Sequence, residues 1–139
     1  MTSLFIDTNV MIDFLGQRHP FYDDIAKLTV LAERQEVSIT ASSLSFVNSF
    51  YVLLKVYDKK SLHEILLKFR VICKVSNVDE IHIDKSLLLN SRDFEDAVQY
   101  HSALHHKCDI FITRNKKDFK KAELPIMTPA EFLTSIKKR

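Results

Sequence analysis

The chain has 139 residues, of which 46% are hydrophobic and 27% are charged. This length fits one domain with its own core, and the composition is that of a folded globular protein rather than a disordered or membrane-embedded one. We therefore expect a single domain over residues 1–139. Twenty basic and eighteen acidic residues give a net charge of +2, which is too small to identify a partner.

The sequence has no long apolar run, and its first residues do not resemble a signal peptide. Cys73 and Cys108 lie far apart in apolar surroundings, which indicates two buried free thiols rather than a disulfide or a metal-binding pair. Free thiols fit a reducing compartment. We therefore predict a cytoplasmic protein that does not enter a membrane.

Apolar residues in the first half of the chain alternate between short runs and helical spacing. The order of elements that this predicts is strand, helix, helix, strand, helix. The predicted elements are a strand at 4–6, helices over 10–15 and 21–34, a strand at 37–40, and a helix from Ser42 or Ser43 to about residue 55.

The second half continues the alternation of strands and helices. The predicted elements are a helix from Ser61 to 69, a strand at 71–75, helices over 79–89 and 94–106, strands at 109–113 and 125–127, and a last helix after the capping sequence 128–131. Such an order favours a parallel sheet covered on both faces, which binds ligands at the carboxyl ends of its strands. The single glycine excludes glycine-rich phosphate loops.

Four aspartates fall at strand ends or at helix starts beside them. Asp7 follows the first strand, Asp93 and Asp96 begin a helix, and Asp118 follows the fourth strand. Carboxylates gathered at one edge repel each other, so a structure that gathers them usually holds a hard cation such as Mg²⁺ or Mn²⁺. Oxygen-ligand metal sites of this kind recur in phosphoryl transfer, which makes that chemistry the leading prediction.

Three segments of the chain resemble the motifs of PIN domains. Residues 4–10 (LFIDTNV) resemble the opening strand and turn, and residues 94–104 (FEDAVQYHSAL) resemble the acidic helix of the third motif. Residues 112–119 (ITRNKKDF) and 128–133 (TPAEFL) resemble the closing segment. The order and spacing of these motifs match the family over nearly the whole chain.

The resemblance implies a fold, an activity and partners. It implies a PIN-like three-layer α/β/α fold with a five-stranded parallel sheet in the order 3-2-1-4-5, Mg²⁺ or Mn²⁺ as the cofactor, and endonucleolytic cleavage of RNA. Stand-alone members of this length are typically VapC-like toxins, each neutralised by an antitoxin protein, and dimers are common. The expected partners are therefore an RNA substrate, an antitoxin and a second copy of the chain.

The resemblance also assigns roles to residues of this sequence. Asp7 matches the first metal ligand, and Asp96 matches the acid of the third motif, with Asp93 one turn earlier in support. Asp118 precedes Phe119 as in the family's Asp-Phe pair. Thr113 would orient a carboxylate or a water molecule through its hydroxyl.

Two positions depart from the family pattern. Asn48 stands where PIN domains commonly carry a glutamate, and Asn115 stands where many members have an acid. An amide can hold a water or a phosphate oxygen, but it brings no charge and cannot act as a base. Metal affinity should then be weaker, and catalysis slow, differently tuned or absent. The alternative is a PIN-like module that binds RNA or protein without turnover.

Basic residues concentrate after the fourth strand and at the end of the chain. They could contact phosphates, or they could form a solvated loop and tail. The candidate RNA-binding residues are Arg114, Lys116 and Lys117, and the same runs include Lys120, Lys121, Lys137, Lys138 and Arg139.

Each candidate also has a purely structural interpretation. Asp7 could cap a helix, Asp93 and Asp96 could be acids favoured by the helix dipole, and Asp118 could form a salt bridge. His101 and His105 have a zinc-compatible spacing, but without a third ligand a packing pair is favoured. Three aromatic residues at helical spacing could stack bases, but core or dimer packing is favoured: Phe46, Phe50 and Tyr51.

A third function arises from the start of the chain. Asp7-Thr8-Asn9 after a strand superficially resembles the nucleophile motif of aspartyl-phosphate phosphatases. The match is poor, because that family usually has an aspartate where Asn9 stands. The nuclease therefore remains the leading prediction.

Overall fold

The computed structural model describes residues 1–89, 93–119 and 122–137. It contains a five-stranded sheet made of β1 (Thr2–Ile6), β2 (Val37–Ser42), β3 (Cys73–Ser76), β4 (Ile110–Ile112) and β5 (Ile126–Met127). The strand order is β3-β2-β1-β4-β5, and each neighbouring pair is parallel. The α/β class, the parallel sheet and the order 3-2-1-4-5 are thus confirmed.

Helices connect the strands. They are α1 (Thr8–Leu15), α2 (Tyr22–Glu33), α3 (Ser43–Leu53), α4 (Lys59–Ile72), α5 (Glu80–Leu89), α6 (Phe94–His105) and α7 (Pro129–Lys137), with a short 3₁₀ turn at Lys116–Phe119. Within the described ranges, every helix is too short or too polar to cross a membrane.

The alternation of side chains along the strands creates two cores. Leu4 and Ile6 point to one face of the sheet, into a major core that α1, α2, α3, α4 and α7 cover. Phe5 and Phe111 point to the other face, into a minor core completed by Ala103, Cys108 and Phe119 and covered by α6. Helix α5 packs against α6. Because side chains alternate with a period of two, one short strand supplies both layers.

Several helix starts follow the predicted capping chemistry. Ser42, one of the two predicted caps of α3, accepts a hydrogen bond from the backbone N–H of Ser45 at 3.1 Å. At the start of α7, Thr128 and Glu131 exchange side-chain to backbone hydrogen bonds of 3.1 and 2.9 Å, which is a capping box. The predicted start of the last helix is confirmed.

Two predictions around α4 are wrong. The helix begins at Lys59 rather than Ser61, because Asp58 is the cap and accepts the N–H of Ser61 at 2.7 Å. The predicted strand at 71–75 begins only at Cys73, since Val71 and Ile72 are the last residues of the helix. The apolar spacing of the helix carries it past the β-branched run, because its buried face continues to Ile72.

Candidate active site

A cleft of about 430 Å³ opens at the carboxyl edge of the sheet. The first turns of α1 and α6 and the middle of α3 form its walls, as the position of strand ends in a parallel sheet predicts. Among the described residues no lysine or arginine lines it. Its acids and amides are Asp7, Asp93, Glu95, Asp96, Asn9, Asn48, Gln99 and Asn115.

Asp7 lies directly after β1 and caps α1. Its Oδ1 accepts the N–H of Val10 at 2.9 Å, and its Oδ2 accepts the hydroxyl of Thr113. The capping interpretation is therefore correct for one oxygen of this carboxyl. Burial raises the pKa of Asp7 to about 6, although both hydrogen bonds lower it.

Asp96 lies in the first turn of α6 and faces the same cleft. Burial and, after it, the neighbouring negative charges of Asp93, Asp7 and Asp118 together raise the pKa of Asp96 to about 7. The two predicted metal-binding carboxyls, Asp7 and Asp96, are thus brought together and repel each other.

Asp93 and Asp118 flank this pair. Asp93 caps α6, and its Oδ1 accepts the N–H of Asp96 at 3.1 Å. Asp118 is exposed, and its Oδ2 accepts the side-chain amide of Asn115 at 2.6 Å. Both acids lie close enough to Asp96 to raise its pKa.

The two amides that depart from the family pattern both line the cleft. Asn48 lies on α3, one turn after Ser45, and Asn115 lies on the loop after β4. Both amides thus face the cleft that Asp7 and Asp96 line, and neither brings a negative charge to it.

The donor set fits a hard cation in part. Burial is the main cause of the raised pKa values of Asp7 and Asp96, and a cation bound beside them would favour their ionised forms. Across the ranges 1–89, 93–119 and 122–137, however, no three acid, histidine or cysteine side chains stand close enough to enclose an ion by themselves. A cation here would take two carboxylates and complete its coordination with amide oxygens or water, as Mg²⁺ commonly does.

The basic candidates that the structure describes do not line the cleft, although the charge of Arg114 lowers the pKa of Asp7. Arg114 donates to the buried Asp13 at 2.7 and 3.2 Å, and its guanidinium lies 3.9 Å from the ring centroid of Phe21. Lys116 pairs with Glu131 at 2.9 Å. Lys117 is exposed. The other basic candidates Lys120, Lys121, Lys138 and Arg139 lie outside the described residues.

Sequence reasoning missed several residues of the cleft. Glu95 and Gln99 both line the cleft. Helical spacing could have indicated Gln99, which follows Asp96 by three positions, but not Glu95, which adjoins it. Thr8 and Asn9 also line the cleft, although the motif at residues 4–10 predicted no separate role for either. Tyr51, for which core or dimer packing was favoured, is 67% exposed and lies on the wall of the cleft.

The comparison of sequence families identifies the chain. Residues 3–117 match the sequence model of the PIN domain. The chain belongs to the PIN domain family. The matched segment contains Asp7 and Asp96 as well as the amides Asn48 and Asn115. The match favours the nuclease interpretation over the aspartyl-phosphate phosphatase.

Individual relatives agree with this assignment. Ribonuclease VapC1 of Aquifex aeolicus is 25% identical over 135 residues, which is 93% of this chain and 92% of that protein. DNA-bound VapBC from Salmonella typhimurium superposes with a TM-score of 0.71 at 17% identity, covering 93% of this chain and 99% of the other. A toxin-antitoxin complex from Klebsiella pneumoniae gives 0.67 at 21%, covering 91% and 98%. These structures share the fold.

Proposed function

We propose that this chain is a divalent-metal-dependent endoribonuclease that acts in the cytoplasm as the toxin of a toxin-antitoxin pair. The observation that carries the proposal is the placement of Asp7 and Asp96, two carboxyls with raised pKa values, in one cleft at the carboxyl edge of the sheet. Similarity over nearly the whole chain to a protein named ribonuclease VapC1 supports it.

Asp7 and Asp96 would hold Mg²⁺ or Mn²⁺, and Asp93 and Asp118 are the further candidate ligands. When bound, such a cation lowers the pKa of a water molecule and offsets negative charge on a phosphate. A phosphate that binds in this cleft would require such a cation, because the described lining contains carboxylates and no basic side chain. Without a counter-ion, the cleft would repel RNA.

The chain's own residues would orient the reacting groups. Thr113 donates to Asp7 and so favours its ionised form. The amides of Asn48 and Asn115 can donate to a phosphate oxygen or hold a water molecule. In the hydrolysis, the water loses a proton as its oxygen bonds to phosphorus, one phosphorus–oxygen bond of the RNA breaks, and the departing oxygen takes up a proton.

The test is Asp7→Asn, with Asp84→Asn as the matched control. Asp84 is an exposed acid on α5 and loses the same charge outside the cleft. We expect Asp7→Asn to abolish Mn²⁺-dependent RNA cleavage and to relieve growth inhibition on expression, whereas Asp84→Asn keeps both. Undiminished cleavage by the Asp7 variant would refute the nuclease site.

A second function is favoured by the two amides in the cleft. With Asn48 and Asn115 in place of acids, the chain could bind RNA or protein without turnover. Its mark is RNA binding with no Mn²⁺-dependent cleavage, even in the variant Asn48→Glu. Cleavage by the wild-type chain that Asp7→Asn abolishes would exclude it.

RNA would be held beyond the acids by exposed side chains. Lys117 is the best placed of the three basic candidates, since Arg114 and Lys116 already pair with carboxylates. The exposed ring of Tyr51 on the cleft wall offers a face on which an unpaired base could stack. Single-stranded RNA is therefore the proposed substrate.

A protein partner would cover apolar side chains that the fold leaves exposed. Val71 at the end of α4 is 85% exposed, and Leu67 one turn earlier is also exposed. Adjacent exposed apolar residues suit a protein interface. We propose an antitoxin as that partner and a homodimer as the free state. Co-purification with the product of the neighbouring reading frame, and the mass in solution without it, test the two.

A further inference from the structure

Gln99 is a buried amide at the back of the cleft. It lies on α6, one turn after Asp96, and only 1% of its surface is exposed. Its Oε1 accepts the hydroxyl of Ser42 at 2.7 Å, and its Nε2 donates to the hydroxyls of Thr8 and Ser45, both at 2.9 Å. Both N–H groups and the carbonyl oxygen of the amide are thus engaged.

These contacts join three parts of the fold. Thr8 directly follows Asp7 at the end of β1, while Ser42 ends β2 and Ser45 lies in the first turn of α3. The hydroxyls of Thr8 and Ser45 are also 2.8 Å apart. The amide therefore connects α6 with the carboxyl ends of the neighbouring strands β1 and β2.

The network acts across the two carboxylates of the cleft. Asp96 and Gln99 are three positions apart, so both side chains lie on the same side of α6. Asp7 and Thr8 are adjacent in the chain. A hydrogen bond from Gln99 to Thr8 therefore fixes the helix that carries Asp96 against the turn that carries Asp7.

An apolar residue would not supply the same restraint. Ala97, Val98 and Ala103 are buried apolar residues of the same helix. Apolar packing is non-directional, whereas a satisfied buried amide fixes distance and direction. Two like charges in one cleft tend to separate, and this restraint opposes that separation.

We propose that Gln99 is a positioning residue, which holds Asp96 opposite Asp7 so that the two carboxylates can share one divalent cation. The proposal rests on the proposed metal-dependent function. It adds a residue that touches neither the cation nor the RNA and acts through Thr8, Ser42 and Ser45.

The experiment compares the wild-type chain with Gln99→Met, which has a similar size and no amide. Mn²⁺ affinity is measured by calorimetry on the purified full chain, and RNA cleavage is measured over a range of Mn²⁺ concentrations. Residues that orient metal ligands typically change metal affinity about 10- to 100-fold. We expect the dissociation constant for Mn²⁺ to rise by about that factor, and cleavage to recover at high Mn²⁺.

The matched control is Ser102→Ala, one turn further along α6. Ser102 is equally buried, and its hydroxyl bonds to Ser76 at 2.7 Å and to the carbonyl of Asn77 at 2.9 Å, away from the cleft. We expect this variant to lower the unfolding temperature while Mn²⁺ affinity stays within twofold of wild type. An equal loss of Mn²⁺ affinity in both variants would assign Gln99 a merely structural role.

Two further variants separate the possible failures. If Gln99→Met does not fold, Ser45→Ala removes one acceptor of the amide, and a rise in the Mn²⁺ dissociation constant is again expected. Wild-type affinity in Gln99→Met, or in Ser45→Ala in that case, together with its loss in Asp7→Asn, would overturn the role of Gln99 alone. Wild-type affinity in Asp7→Asn would overturn the metal site itself.

Discussion

Asp7 and Thr113 lie side by side at the carboxyl ends of neighbouring strands. Ile6 of β1 is in register with Ile112 of β4, so the residues that follow them meet, and the Thr113 hydroxyl donates to Oδ2 of Asp7. Both side chains are buried. A single hydrogen bond across two strands thus orients the first acid of the cleft.

Thr113→Val should shift the pH dependence of metal binding upward. Without the hydroxyl, the charged form of Asp7 loses a donor, so its pKa rises and protons compete with the cation at higher pH. A hydrogen bond to a charged group contributes about 1.5 kcal/mol, which corresponds to about one pH unit. Mn²⁺ titrations from pH 5 to 9 measure the shift. Thr29→Val, a buried threonine on α2, is the control and should leave the profile unchanged.

Asp7→Asn should stabilise the metal-free chain at alkaline pH. The folded chain binds the Asp7 proton more tightly than the unfolded chain, since burial raises the pKa from 3.8 to about 6. Ionisation therefore costs folding free energy, a cost that is absent below about pH 3.8 and complete above about pH 6. The shift corresponds to about 3 kcal/mol at most. Urea unfolding in EDTA at pH 8 and pH 4 should show a gain only at pH 8.

Arg114→Gln should lower stability rather than only RNA affinity. The carboxylate of Asp13 is buried, and Arg114 is one of its two cationic partners, with Arg18 the other. Because Arg18 remains, we expect a loss of about 1–3 kcal/mol in the free energy of unfolding, below the cost of a fully broken buried pair. Lys117→Gln is the exposed control. Unchanged unfolding of the Arg114 variant would contradict a structural role.

Tyr51→Ala should weaken RNA binding without affecting the fold. Stacking of one base on an aromatic ring contributes about 1–3 kcal/mol, so KM for single-stranded RNA should rise about 5- to 140-fold, whereas Tyr51→Phe should leave KM unchanged. The unfolding temperature should not change, because the ring is exposed. Equal KM values in the alanine and phenylalanine variants would place the RNA elsewhere.

Local patterns predicted the architecture because each element is fixed by nearby residues. The apolar run at 4–6 forms part of the buried strand β1, as predicted, and Asp7 follows that strand. The capping sequence before α7 forms the expected pair of hydrogen bonds. The strand prediction at Val71 and Ile72 was wrong because packing against distant residues, rather than the local sequence, decides their conformation. Their β-branched side chains favour a strand, but packing of Ile72 on the major core keeps them helical.

Partners distant in sequence were beyond such patterns. Asp7, Asp93 and Asp96 were predicted to lie together because strand ends converge in any parallel sheet. The role of Gln99 was not predicted, because its hydrogen-bond partners lie 54 to 91 positions away in the sequence. Arg114 was predicted as a phosphate contact or as part of a solvated loop, because the buried Asp13 that it contacts lies 101 positions earlier.

The unequal sizes of the two cores mean that the layers need not loosen together. Asp7 lies between β1 and α1, which contribute to the major core. Asp96 lies on α6, which packs over the minor core around Phe5 and Phe111. Amide protons of α5 and α6 should therefore exchange with solvent before those of α1 and β1. On heating, Asp7 and Asp96 would separate while most of the chain is still folded. Metal binding would then be lost at a temperature below that of global unfolding.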